Sequence, residues 1–178
     1  MSKRYIYIIQ MHTMTVPARI IKAATRHEYS HVAISLDRDC KTSYSFGRRN
    51  PDSILHAGFV VEHQNGEFFH KFDKTVCRIY EIEVTEEQYR SVKSLLEHMK
   101  RNMMDYKYDY LGLVLRTFGI PVSYARKAVC SQFVAEVLVN SGIISFAKPT
   151  YFVRPKDFSD RVDFNVIYEG PYLAYGNA

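Results

Sequence analysis

The sequence predicts an α+β domain. Strand-like runs rich in β-branched and aromatic residues occur near both ends of the chain and between them. Three amphipathic, helix-like stretches sit together in its second half. The resulting order is strand, helix, several strands, three helices, strand, rather than the regular βα alternation of a parallel sheet. At 178 residues with 47 % hydrophobic side chains, one domain over residues 1–178 can bury its own core without a disulfide framework or a structural metal.

Residues 4–10 are rich in Tyr and Ile and read as the first strand. Pro17 opens residues 16–26, where Ile20, Ile21 and Ala24 predict a short helix. Residues 32–36 and 42–46 read as strands, 47–52 as a turn around Gly47 and Pro51, and 58–62 as a further strand. In 78–84, Ile79, Tyr80, Ile82 and Val84 are interleaved with charges, which predicts a half-buried strand.

Thr85-Glu86-Glu87-Gln88 is a capping box: the Thr85 hydroxyl accepts from the third helical N–H while Gln88 reaches back to the cap. Val92, Leu95, Leu96 and Met99 then share one face of a helix running to about Arg101. A second helix is expected over 108–118, stopped near Gly119-Ile120-Pro121. The third, 130–140, carries Phe133, Val134, Val137 and Leu138, with Gly142 as its stop signal. Residues 155–158 read as one helical turn and 164–168 as a last strand.

No apolar run approaches a membrane span, so no transmembrane segment is expected. The first apolar stretch breaks at Gln10-Met11-His12 without a small-residue cleavage site, so it is not read as a signal peptide. Cys40, Cys77 and Cys130 are odd in number and widely spaced, which argues against a disulfide scaffold or a C-x-x-C zinc site. A cytoplasmic, reduced protein is the expectation. Net charge is +5, but the basic residues come only as scattered pairs such as Lys3-Arg4 and Arg48-Arg49 and form no Lys/Arg block, so no nucleic-acid partner is expected.

Two constellations compete for the chemistry. His27-Glu28-Tyr29-Ser30-His31 matches H-E-x-x-H, in which two His on one helical face bind zinc and the Glu acts as base. The strand pattern that begins at Val32 works against a helix there. The alternative pairs Cys130 with His31. Cys130 stands where a polar loop passes into a helix, so the helix dipole favours its thiolate and the first-turn N–H groups are free to hold an oxyanion. A strand-borne His facing that helix end supplies the base. The plainer reading of Cys130 is a small buried hydrophobe.

The segment from Thr25 through His31 to Ile34 resembles the histidine motif of the circularly permuted papain-fold hydrolases, the YiiX/YaeF-like branch of the NlpC-type superfamily, related to the lecithin:retinol acyltransferase group. Val129-Cys130-Ser131-Gln132-Phe133-Val134 resembles their later cysteine motif at a helix start, and the order, His before Cys, is also theirs. The resemblance extends over roughly residues 5–158 and implies a permuted papain-like fold, with an antiparallel sheet packed on helices, one of which starts at the nucleophile. It implies a cysteine hydrolase or acyltransferase acting on amide or ester bonds of a peptide, amide or lipid-ester substrate, with Cys130 as nucleophile and His31 as base. No cofactor or metal is required. Relatives place a polar orienting residue on the strand after the His. Here Ser45 or Ser43 stands on that strand, and Glu62, one strand further on, is the other candidate. The remaining alternatives are a non-catalytic binding protein of the same fold and the zinc hydrolase built on His27 and His31.

Tyr106, Tyr108 and Tyr110 alternate with charges and read as packing residues or as a source of a second oxyanion donor. Gly47-Arg48-Arg49 reads as an exposed turn, Cys40 as an exposed residue of a polar turn, and Cys77 as packing.

Overall fold

The computed structural model describes residues 3–13 and 28–176. The helix expected over 16–26 lies outside them. Eight strands form one sheet: β1 (Arg4–His12), β2 (His31–Ser35), β3 (Thr42–Asn50), β4 (Ser53–His63), β5 (Val76–Val84), β6 (Lys107–Tyr108), β7 (Lys127–Ala128) and β8 (Asn165–Pro171). Their order is β7-β6-β4-β3-β2-β1-β5-β8, and every pairing is antiparallel except β6 with β7. The α-helices among the described residues are α1 (Glu67–Lys71), α2 (Glu86–Arg101), α3 (Tyr110–Thr117), α4 (Cys130–Asn140) and α5 (Pro155–Ser159). The architecture is therefore α+β with a mostly antiparallel sheet.

Both faces of the central strands are covered, which is why residues 5–9 of β1 are continuously apolar rather than alternating. Ile6 and Ile8 join a large core with Val92, Leu96 and Met99 of α2 and Phe133, Val134, Val137 and Leu138 of α4. Tyr7, Ile9 and Met11 join a smaller one with Phe69 of α1, Cys40, Cys77 and Tyr172. Phe133 wedges between Phe46 and Phe59, with ring centroids 5.3 and 5.6 Å away. That wedge seats α4 on β3 and β4 and fixes the height of its first residue, Cys130.

The turn expected over 47–52 is mostly strand. β3 runs on to Asn50, with an irregularity between Arg48 and Asn50, and β4 begins at Ser53. The cause is Arg49, whose guanidinium donates to the carbonyls of Phe59, Met103 and Tyr106. It satisfies three backbone acceptors on two segments and holds the strand in place. Gly58 makes this possible: a Cβ there would lie 2.1 Å from the Tyr106 carbonyl oxygen and 2.5 Å from Arg49 Nη2.

Cys40 is a second correction. It is fully buried rather than exposed, with a positive φ of 51°, and its carbonyl accepts from the Tyr172 hydroxyl at 3.0 Å. The polar turn around it turns its one apolar side chain inward.

Candidate active site

Cys130 is the first residue of α4. β7 pairs with β6 just before it, and the Asp109 N–H donates to the Ala128 carbonyl at 3.0 Å. Val129 occupies the N-cap in extended conformation and brings no side-chain cap. The first turn of α4 thus receives no capping oxygen from its N-cap side chain, and Cys130 sits at the N–H end of the helix. Cys130 itself is 6 % exposed.

The two residues after the cysteine are pinned. The Ser131 hydroxyl donates to the Val153 carbonyl at 2.6 Å. The Gln132 amide accepts from Arg116 at 3.0 Å and donates to Glu136 at 2.8 Å. Arg116 in turn pairs with Asp109 at 3.1 Å, both side chains buried, and Asp109 Oδ1 caps α3 by accepting from the Gly112 N–H at 3.0 Å. This buried chain of charge and amide ties α3 to the start of α4. Its only sequence trace is a capping Asp beside a Gly three residues on, together with a Gln two residues past the cysteine.

His31 opens β2, opposite Met11 of β1. Its Nε2 lies 3.0 and 3.3 Å from the two carboxylate oxygens of Glu62 on β4. Burial pushes the imidazole's pKa down, but the Glu62 charge, a hydrogen bond with Cys130 and a hydrogen bond with Glu62 all raise it. The net result lies well above the ordinary value of 6.5. Three segments far apart in sequence thus meet: the β2 His, the β4 carboxylate and the cysteine at the α4 N-terminus. Tyr108 adjoins them. Burial, then the proximity of Cys130, holds its phenol pKa well above the usual 10.0, so its O–H remains a donor.

Of the orienting residues expected from sequence, Glu62 meets His31. Ser45 does not: its hydroxyl is fully buried and donates to the Val32 carbonyl at 2.6 Å. Ser43 is likewise buried, opposite Glu62 in register. Tyr106 is half-buried and packs its ring against Phe46 and Phe59. Residues 28–30 form a bend and coil before β2, so the continuous helix that H-E-x-x-H demands is not formed over 28–31. His27 lies outside the described residues. Among the described residues, no group of three or more His, Cys, Asp or Glu side chains is arranged to hold a metal ion.

Comparison with protein-family models, with curated proteins and with solved structures finds no match to this chain.

Proposed function

We propose that the chain is a cysteine hydrolase or acyltransferase of permuted papain-like fold, acting on an amide or ester carbonyl through Cys130, His31 and Glu62. The observation that carries this reading is the convergence on one imidazole: His31 Nε2 lies 3.0 Å from Glu62 Oε1, and the helix-first Cys130 is close enough to His31 to favour its protonated form. Glu62 accepts the Nε2 proton, which leaves Nδ1 to take the thiol proton.

The thiolate attacks the carbonyl carbon, and the developing oxyanion is held by the Cys130 N–H and the Tyr108 hydroxyl. Imidazolium then gives its proton to the departing amine or alcohol, leaving a thioester on Cys130. Water or another acceptor, deprotonated by His31, attacks that thioester and restores the thiol.

Incubation with an activated ester, followed by peptide mapping, tests the proposal. A hydroxylamine-labile acyl adduct should form on Cys130, vanish in Cys130→Ala and slow at least ~100-fold in His31→Ala, the usual contribution of a general base. A chain that forms no adduct at any pH is a binding protein that keeps the fold without turnover.

A further inference from the structure

α3 is built inside out. Its inward face carries Gly112 and the charged Arg116, the latter paired with Asp109 and Gln132. Its outward face carries Leu111, Val114 and, just past its end, Phe118, which are 60, 55 and 78 % exposed. The i, i+3, i+7 spacing puts these three on one stripe. Ile120 and Tyr124 extend the exposed apolar surface into the following loop. Such a cluster is not what scattered surface hydrophobes produce.

The exposed charge beside it is mainly positive. No Asp or Glu occurs between Asp109 and Glu136; Lys127 stands exposed at the end of the loop and Lys107 just before the helix, while Arg126 is paired with Asp105 at 3.1 Å. α3 has eight residues, about 12 Å at 1.5 Å per residue, so it can lie in a membrane interface but not span the bilayer. A second copy of the chain fits poorly. An isologous contact would set Lys107 and Lys127 against their own images.

We propose that α3 and the loop to Lys127 form a docking face for an anionic lipid surface, with the apolar stripe entering the acyl boundary and Lys107 and Lys127 meeting the headgroups. This goes beyond the hydrolase reading and stands without it. It also puts a lipid surface beside the catalytic candidates, because Tyr108 and Asp109 lead directly into α3.

The chain contains no Trp, so the Phe118→Trp variant carries a single fluorescent reporter. Its emission should shift to the blue on vesicles of phosphatidylcholine mixed with phosphatidylglycerol, be quenched by brominated acyl chains, and respond little to phosphatidylcholine alone. Adding Leu111→Ser and Val114→Ser, both at exposed positions, should weaken vesicle binding about tenfold or more, with the circular dichroism unchanged. Lys127→Glu, an independent variant, should weaken it further at low salt. Absence of any shift on anionic vesicles overturns the proposal, as does equal binding to neutral ones. A shift that appears without vesicles and tracks protein self-association would assign the face to a second copy instead. Loss of acylation at Cys130 would leave all these outcomes unchanged, so the two proposals fail separately.

Discussion

At the residue scale, the histidine and cysteine were legible because each signal is local: a His entering an apolar strand, a Cys starting an amphipathic helix. The orienting partner was not. Alternation along β3 and β4 tells which positions share a face but not which side chain reaches across to β2, and the shorter Ser45 is already spent on the Val32 carbonyl. Glu62, with a longer side chain, makes the reach. Because burial alone would lower the imidazole's pKa and Glu62 is the strongest influence raising it, Glu62→Gln should move the His31 titration to lower pH, read by NMR of the ring protons. An unmoved titration would remove Glu62 from its positioning role. The thiols can be separated in the same way. Cys40 and Cys77 are fully buried, and burial raises both of their pKa values, that of Cys77 to about 12. Iodoacetamide near neutral pH should therefore label Cys130 alone in the folded chain and all three in denaturant. Cys40 labelled as fast as Cys130 would count against an activated thiol.

At the element scale, α2 and α4 matched their sequence signals residue for residue because their ends are set by neighbours in the chain. The capping box forms as read: Thr85 Oγ accepts from the Gln88 N–H at 3.1 Å, and Gln88 Oε1 accepts from the Thr85 N–H at 2.9 Å. Thr85→Ala should cost about 1 kcal/mol in chemical denaturation, the common value for losing an N-cap. The β3–β4 hairpin was misread for the opposite reason: its geometry depends on Arg49 reaching backbone carbonyls as distant in sequence as Met103 and Tyr106, which no local pattern reveals. Helix α3 shows the same dependence on tertiary context. A Cβ at Gly112 would lie 1.9 Å from Asp109 Oδ2, although Ala is the better helix former. Gly112→Ala should therefore destabilise the fold, by roughly 1–3 kcal/mol as for overpacked sites. It should also slow acylation of Cys130 if the Asp109–Arg116–Gln132 chain positions α4. Stabilisation, as helix propensity alone predicts, would refute the close packing.

At the scale of the whole molecule, the α+β class followed from the order of patterns, whereas the strand order did not. The sheet ends in β6 and β7, two-residue strands held by the chain around the cysteine, and segments so short carry no periodicity. What unites the molecule energetically is that several buried groups keep their protons in the folded state, and this fixes the sign of its pH dependence. The folded pKa of His31 is raised above the unfolded value near 6.5, and those of Cys40 and Cys77 are raised above the unfolded value near 8.5. Between its unfolded and folded pKa, each group binds more protons in the folded chain than in the unfolded one. Stability therefore falls with rising pH across that window, by up to about 1.4 kcal/mol per pH unit for one group. The stability supplied by His31 is complete below pH 6.5 and declines from there, and the thiols add a second decline above about 8.5. Urea midpoints measured from pH 5.5 to 10 should show both. Glu62→Gln should flatten the first and spare the second, while Cys77→Ala should weaken the second and spare the first. A midpoint that rises between pH 6.5 and 8 would mean that His31 is held neutral in the fold, and the charged His31–Glu62 pair would have to be abandoned.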